Sequence, residues 1–281
     1  MESLIVATST QNQSRIDPAS ILGVVAGPVC ILLGQWLEGG NVGSLLQRSA
    51  ALIVIGATAA SCCLSFSPSY LRAAVRDLRK VVSEDAPNPY DLIERIIGYA
   101  AILRKEGPVP LQRHAREETY GMLTTGLNLV INNVPEESMA TILERAFHER
   151  VIHNNAGAEV FEAAGGYLPT FGILGAVLGL IHTMQSLSDP SKVGIGISIA
   201  FVATVYGVGI ANLVAFPVAK KIRTRAQTEK QLDQIVVTGV KGMRAGMAPS
   251  ALRQLLTEGI HPSSATRPSA EVAHASEAKA A

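Results

Sequence analysis

The sequence is poor in charge, in aromatic residues and in cysteine. Only 17% of its 281 residues are charged, against about 25% in soluble domains, and this deficit argues against an ordinary cytosolic enzyme. The net charge of +1 supplies no basic face for nucleic acid, and the 5% aromatic content weakens a base-stacking or carbohydrate-binding function. The three cysteines lie in apolar runs without metal-ligand spacing, so we expect small buried thiols at Cys30, Cys62 and Cys63.

Signatures of catalysis are also missing. The sequence contains no G-x-S-x-G nucleophile elbow, no phosphate-binding P-loop and no H-E-x-x-H zinc motif. His114, His148 and His153 lie among charged residues without ligand spacing, so we expect solvated histidines on helices. We therefore predict a protein that is not an enzyme, that binds no metal and that needs no cofactor.

Long runs without charge are what the sequence has in abundance. Asp, Glu, Lys and Arg are all absent from residues 18–37, 49–71, 163–188 and 193–219. A helix needs about 20 apolar residues to cross the hydrocarbon core of a bilayer. The four runs therefore predict an integral membrane protein with four transmembrane helices. Because residues 1–17 lack a basic n-region, we interpret the first run as a retained helix rather than a signal peptide.

Basic residues predict the orientation of the four spans. The short loops at 38–48 and 188–192 contain only one basic residue each, Arg48 and Lys192. The segments after the second and fourth runs are much more basic, with Arg72, Arg76, Arg79 and Lys80 in one and Lys220, Lys221, Arg223 and Arg225 in the other. Because an excess of Lys and Arg marks the cytoplasmic side, both termini and the long insert between the second and third runs are predicted to be cytoplasmic.

The predicted fold class is an all-α integral membrane protein with a large helical cytoplasmic insert and a cytoplasmic C-terminal helix. Along the chain we expect an N-terminal segment with spans 1 and 2 (1–71), the insert (72–162), spans 3 and 4 (163–219), a cytoplasmic helix (220–260) and a disordered tail (261–281). Apolar spacing within the insert predicts helices over 71–82, 90–103, 111–132 and 135–150. After the fourth span, residues 222–256 predict one or two further helices.

The last two spans carry few groups capable of chemistry. Thr204 lies near the centre of its span and is the leading candidate for lining a wet path, although a threonine in a helix also bonds back to its own backbone. Glycines at 172, 175 and 179 have the small-residue spacing that lets helices approach closely in lipid. Pro169 and Pro217 either lie near helix ends or mark kinks that can move.

Carboxylates are absent from all four runs. Proton and sodium pathways usually need an intramembrane Asp or Glu that changes its charge state. An ion conductor built from this chain would therefore take its carboxylate from a partner chain.

Two stretches in the last two spans resemble the flagellar stator subunits of the MotA/PomA family, within the wider MotA–TolQ–ExbB group. The first is Pro169-Thr-Phe-Gly-Ile-Leu-Gly-Ala-Val-Leu-Gly-Leu-Ile, and the second runs from Ala203-Thr-Val-Tyr-Gly to Ala215-Phe-Pro217. The likeness covers about residues 18–258, and the predicted topology of two early spans, a large insert and two late spans is similar as well.

The resemblance implies a ring of five such subunits around two copies of a MotB-type partner in the bacterial inner membrane. That partner would supply the titrating Asp that this chain lacks, together with a peptidoglycan anchor. Ion passage would rotate the ring, and the insert would push on the rotor protein FliG. Pro169, Ala176, Thr204 and Tyr206 would then line the ion pathway, while Pro169 and Pro217 would couple ion passage to conformational change.

The insert contains a match to the rotor-facing charged motif of the family. Arg104-Lys105-Glu106-Gly107 resembles this motif, with Arg104 as the principal cation. The acidic residue of the family falls at Gln112, so that charge is absent here, and Glu117 or Glu118 are the neighbours that could substitute for it.

The third span bears on the choice of ion. Sodium-type members of the family carry Gly-Thr where this chain has Gly175-Ala176. A sodium ion must be coordinated by oxygen, whereas a proton can hop through water. The missing hydroxyl near Thr204 therefore favours H⁺ over Na⁺.

Two other functions stay open. A TolQ/ExbB-like energiser of outer-membrane processes would come from the same superfamily, but that group has three spans and an external N-terminus. A passive scaffold or small-solute transporter would belong to a different class. Internal repetition often marks a transporter, and residues 18–71 show none with 163–219.

Overall fold

A computed structural model describes residues 15–16, 18–84, 88–185, 187–188 and 190–258. The chain is nearly all helical there, which confirms the predicted helical class. The exception is a two-residue antiparallel pair in which β1 (Arg15–Ile16) lies against β2 (Ser83–Glu84), with Arg15 opposite Glu84. The tail predicted over 261–281 lies outside the described residues.

Eleven α-helices follow one another along the described ranges. They are α1 (Pro18–Leu37), α2 (Arg48–Ala51), α3 (Ala57–Ser65), α4 (Pro68–Val82), α5 (Pro89–Glu106), α6 (Leu111–Glu117), α7 (Gly121–Ile131), α8 (Glu136–Gln185), α9 (Pro190–Ile210), α10 (Phe216–Arg244) and α11 (Pro249–Glu258). A 3-10 helix at Val42–Leu45 precedes α2. The π-helical segments Leu52–Gly56 and Ala211–Ala215 join α2 to α3 and α9 to α10.

Among the described residues, three continuous helices are long and apolar enough to cross a membrane. They are Arg48–Ser65, Glu136–Gln185 and Val193–Arg244, while the apolar helical segment Leu22–Leu37 is shorter. Large apolar side chains on these helices are exposed, among them Leu64 at 91% and Phe201 at 70%. Because soluble proteins seldom expose large contiguous apolar surface, this pattern fits helices that face lipid.

The described residues within 1–85 and 153–224 form one compact unit. Its core consists of small and branched apolar residues from α2, α8, α9 and the two π-helical segments: Ala50, Val54, Leu168, Val202, Ala203, Ala211 and Ala215. The abundance of alanine lets the helix backbones lie close together.

The described residues within 86–152 and 225–281 form a second compact unit. Its core is built from larger side chains, contributed by α5, α6, α7, α10, α11 and the start of α8. The fully buried members include Leu92, Ile96, Leu123, Met139 and Leu252. These positions recur at helical spacing in the sequence, as expected for amphipathic helices packed around one core.

The helix predicted over 111–132 is wrong in one respect, because the chain breaks between α6 and α7. Glu118 has extended backbone angles (φ −72°, ψ 127°), and so has Tyr120 (φ −85°, ψ 101°). The carboxylate of Glu118 accepts a hydrogen bond from the backbone N–H of Tyr120 at 2.9 Å. A side chain that bonds its own backbone in this way competes with the helix.

The helix predicted over 135–150 is not a separate element. It is the start of α8, which continues for 50 residues to Gln185. The two helices allowed over 222–256 are present, since α10 ends at Arg244 and α11 begins at Pro249. Gly246 between them has φ +69°, a left-handed conformation that glycine adopts without strain.

Candidate ion pathway and rotor-facing surface

Glycines bring α8 and α9 into backbone contact. A Cβ atom at Gly179 would lie 2.8 Å from the backbone N of Ala200, and one at Gly207 would lie 2.6 Å from the carbonyl O of Leu168. A Cβ at Gly172 would lie 3.1 Å from the carbonyl O of Ala203. Backbone atoms cannot swing aside as a side chain can, so the close packing predicted from the small-residue spacing is present. We call this contact the glycine seam.

Thr204 lies beside the glycine seam. Its Cα would be 3.5 Å from a Cβ at Gly172. Its hydroxyl donates to the carbonyl O of Ala200 at 3.2 Å, one turn earlier in the same helix, and its side chain is exposed within this chain. A hydroxyl used in this way can still accept a hydrogen bond from water. Ala176, the other residue predicted near this position, is partly buried on α8.

Tyr206 is held by the segment before α2. Its hydroxyl donates to the carbonyl O of Leu45 and accepts from the backbone N–H of Gln47 at 3.3 Å. The Gln47 side-chain amide in turn donates to the Ser198 hydroxyl at 2.8 Å. The predicted pathway residue is therefore also an anchor between two elements. The sequence analysis missed Gln47, because a lone glutamine in a short loop carries no motif.

Both candidate prolines lie inside continuous helices rather than near helix ends. Pro169 lies in the interior of α8 and is partly buried. Pro217 lies two residues after the π-helical segment Ala211–Ala215, and the backbone N–H of Phe216 between them donates to the carbonyl O of Ala211, five residues back. A proline lacks the N–H and crowds the preceding turn. The wider π turn provides room for its ring, and such turns are frequent at functional sites.

The motif predicted to face the rotor lies at the end of α5. Arg104, Lys105 and Glu106 are all exposed there, and Gly107 stops the helix with φ +81°. Gln112 is exposed on the short helix α6. The motif and Gln112 belong to the unit of residues 86–152 and 225–281.

Burial separates the two glutamates that could replace the missing acidic charge. The Glu118 side chain is 0% exposed; it pairs with Arg95 at 2.5 Å and accepts from the Tyr99 hydroxyl at 3.0 Å. The Glu117 side chain is 61% exposed and pairs with Arg113 at 3.1 Å. Glu117 is therefore the one available at the surface.

The buried Glu118 also affects the pKa of the neighbouring Tyr99. Burial, and then the negative charge of Glu118, raises the pKa of Tyr99 to about 12. Tyr99 therefore stays neutral at any physiological pH and keeps donating its hydrogen bond.

Two further carboxylates are buried, and the sequence analysis singled out neither. Asp233 is 1% exposed, pairs with Arg150 at 2.9 Å and accepts from the Tyr120 hydroxyl at 2.8 Å. Burial and the charge of Asp233 raise the pKa of Tyr120 well above its usual range. Asp77 is likewise 1% exposed and lies 3.1 Å from Arg76. Across the described ranges, no group of three His, Cys, Asp or Glu residues is placed to hold a metal ion.

Comparison with known proteins gives one consistent result. The profile of the MotA/TolQ/ExbB proton channel family matches residues 114–234. The chain is 30% identical to the protein YtxD of Bacillus subtilis over 244 residues, covering 86% of this chain and 90% of that protein. It is 27% identical to motility protein A of Bacillus subtilis over 248 residues, with the same two coverages.

The fold agrees with the sequence relationship. A structure of the MotAB complex of C. jejuni matches with a TM-score of 0.80 at 28% identity, over 88% of this chain and 97% of that chain. Fold and sequence together define a component of a helical ion-channel family. The chain belongs to the MotA/TolQ/ExbB proton channel family and, within it, to the MotA-type flagellar stator proteins.

Proposed function

We propose that this chain is the stator subunit that forms, with a MotB-type partner, a proton-conducting complex which turns ion motive force into torque on the flagellar rotor. The complex would lie in the bacterial inner membrane with both termini of this chain in the cytoplasm. We further propose that the chain crosses the membrane four times and that five copies form a ring. The insert of each copy would contact FliG. No cofactor takes part, and the transported ion is H⁺ rather than Na⁺.

The observation that carries the proposal is a membrane wall, formed by the apolar parts of α8 and α9, that contains no carboxylate. The glycine seam packs α8 and α9 closely, while residues 163–188 and 193–219 hold no carboxylate. Thr204 supplies a hydroxyl beside the seam, but a hydroxyl does not change its charge state at physiological pH. A partner that brings an Asp to this wall would complete a pathway, and the structure matched above is of a complex of two proteins.

Deletion of this chain tests the proposal. We expect cells with normal filaments by microscopy that do not swim, and we expect the wild-type chain on a plasmid to restore swimming. The charge reversal Arg104→Glu should leave the chain in the membrane but fail to restore swimming, because it reverses the principal cation of the proposed rotor contact.

The alternative function is distinguished by the same deletion. A TolQ/ExbB-like energiser would give cells that swim normally but are leaky and sensitive to detergent. That outcome would assign the chain to the energisers of outer-membrane processes instead. Normal swimming together with an intact envelope, in a strain without a second stator, would contradict both functions.

A further inference from the structure

Two buried carboxylates in the unit of residues 86–152 and 225–281 belong to one continuous series of hydrogen bonds. Glu118 lies between α6 and α7 with its side chain fully buried, and Asp233 lies on α10 with 1% of its side chain exposed. Tyr120 contacts both, because its backbone N–H donates to Glu118 at 2.9 Å and its hydroxyl donates to Asp233 at 2.8 Å. One residue therefore connects two charges that are far apart in the sequence.

Each carboxylate also binds an arginine on another helix. Glu118 pairs with Arg95 of α5 at 2.5 Å and accepts from the hydroxyl of Tyr99, on the same helix, at 3.0 Å. Asp233 pairs with Arg150 of α8 at 2.9 Å. We call these six residues the polar bridge: Arg95, Tyr99, Glu118, Tyr120, Asp233 and Arg150. The polar bridge joins α5 to α10 and α8 through the segment between α6 and α7.

The helices that the polar bridge joins continue to different parts of the chain. α8 and α10 each continue into residues 153–224, which belong to the unit that holds the candidate ion pathway. α5 lies wholly within the other unit and ends at the exposed motif that begins with Arg104. The polar bridge therefore links the helix of the motif to the two helices that continue into the other unit.

A buried polar link fixes the position of a helix more strictly than apolar packing does. The apolar core of this unit contains Met122, Met139 and Met243, and methionine side chains adapt readily when a neighbour shifts. A buried carboxylate cannot adapt in this way, because losing a directional hydrogen bond leaves a charge without its partner. A shift of α5 relative to α10 would therefore be opposed mainly by the polar bridge.

The polar bridge keeps its hydrogen bonds over the physiological range of pH. Burial, and then the negative charge of the carboxylate that it binds, raises the pKa of Tyr99 to about 12 and the pKa of Tyr120 well above its usual range. Both hydroxyls therefore stay protonated and continue to donate. Arg150 also lies over the ring of Tyr120, with its guanidinium carbon 5.7 Å from the ring centre, so the two residues interact directly as well.

We propose that Glu118, Tyr120 and Asp233 are positioning residues for torque. They hold α5 in one position relative to α8 and α10, so that movement of these two helices also moves the end of α5. This inference rests on the proposed stator function and deepens it, because it assigns the transmission of force within the chain to three residues.

Removal of single hydroxyl groups tests the inference. Tyr99→Phe and Tyr120→Phe each take one hydrogen bond from the polar bridge and keep the aromatic ring. Single motors are followed at high load in cells that hold no other stator, while the full chain is produced together with its membrane partner. Speed rises by one step as each stator complex joins the motor. The height of a step therefore measures the torque of one complex, and the number of steps measures how many complexes assemble.

We expect each variant to lower the height of the steps about twofold, which is at the lower end of the coupling that single residues carry in such networks. A role in folding alone would change the number of steps and leave their height unchanged. Tyr90→Phe is the matched control, since Tyr90 also lies on α5 but its hydroxyl forms no hydrogen bond within the described residues. The control should equal the wild type in both readouts.

A double variant shows whether the two hydroxyls act in one series. Once Tyr120→Phe has opened the link to Asp233, loss of the Tyr99 hydroxyl should lower the height of the steps no further. Two independent effects would instead combine to a loss of about fourfold.

The outcomes separate this inference from the proposed function. Steps of normal height in Tyr99→Phe and Tyr120→Phe would show that the polar bridge does not transmit force, and the stator function would stand. A fourfold loss in the double variant would likewise contradict a single series. If the wild-type chain produces no speed steps and its deletion leaves swimming intact, the proposed function itself fails.

Discussion

Glu117 and Glu118 are adjacent in the sequence but differ in burial, and they therefore differ in what they can bind. Glu118 is enclosed by Arg95, Tyr99 and the backbone of Tyr120, and it closes the break between α6 and α7. Glu117 points to solvent and makes one ion pair within its own helix. In the sequence the two are adjacent charged residues, and nothing in their spacing indicates which is enclosed.

We expect Glu118→Gln to destabilise the unit of residues 86–152 and 225–281 by about 1–3 kcal/mol, since a neutral amide replaces the buried carboxylate that accepts from Arg95, Tyr99 and the Tyr120 backbone. Thermal unfolding of the detergent-solubilised complex measures the effect. Glu117→Gln is the control and should change stability by less than about 0.5 kcal/mol, because exposed ion pairs contribute little. Equal shifts for the two variants would show that the enclosed pair is not a major source of stability.

The glycine seam gives a second prediction at the scale of one residue. We expect Gly207→Ala to destabilise the chain by about 1–3 kcal/mol, because its methyl group would collide with the backbone of Leu168 at 2.6 Å. Gly209→Ala is the control on the same helix, since a Cβ there meets nothing within 4 Å. The amount of protein in the membrane and its melting temperature are the measurements. A Gly209→Ala variant as damaged as Gly207→Ala would contradict the steric explanation.

At the scale of helices, the two prolines interrupt the hydrogen bonding of α8 and of the helix that continues from α9 into α10. Pro169 removes a donor from the interior of α8, and Pro217 follows a segment whose hydrogen bonds span five residues instead of four. A helix interrupted in this way bends more easily than a regular one. Both positions are therefore suited to a change of shape during ion passage, as the sequence analysis proposed.

We expect Pro169→Ala to lower rotation speed while leaving the amount of protein in the membrane unchanged, because alanine restores the missing hydrogen bond and stiffens α8. The torque of tethered cells and quantitative blotting of membranes measure the two effects. Pro68→Ala is the control, since Pro68 is the first residue of α4, where a proline removes no helical hydrogen bond. If Pro169→Ala lowers only the protein level, the proline serves folding alone.

The sequence predicted the helices well and their partners poorly. The charge-free runs indicated where apolar helices lie, and the glycine spacing indicated that α8 packs closely against something. It did not indicate that the partner of Gly179 is Ala200, or that the Tyr120 hydroxyl binds Asp233. Periodicity within one segment reports which face is apolar, whereas the partner of that face depends on residues far away in the chain.

At the scale of the whole molecule, the choice of ion can be tested directly. We expect swimming driven by this chain to stop when a protonophore collapses the proton gradient and to continue at unchanged speed when Na⁺ is replaced by K⁺. The reason is the absence of a hydroxyl at Ala176, which leaves few oxygen ligands for a dehydrated sodium ion beside Thr204. The strain must carry no other stator. Speed that falls in proportion to external Na⁺ would contradict proton transport.

The glycine seam has a consequence for motion. Alternative packings of two helices usually arise when side chains exchange one rotamer for another, and a contact made of backbone has no rotamers to exchange. The seam therefore resists rearrangement, and α8 and α9 are expected to move together over its length. Flexing is expected at the end of the seam where Gly207 meets Leu168, because Pro169 follows Leu168 on α8 and Pro217 lies beyond Gly207 on the continuing helix.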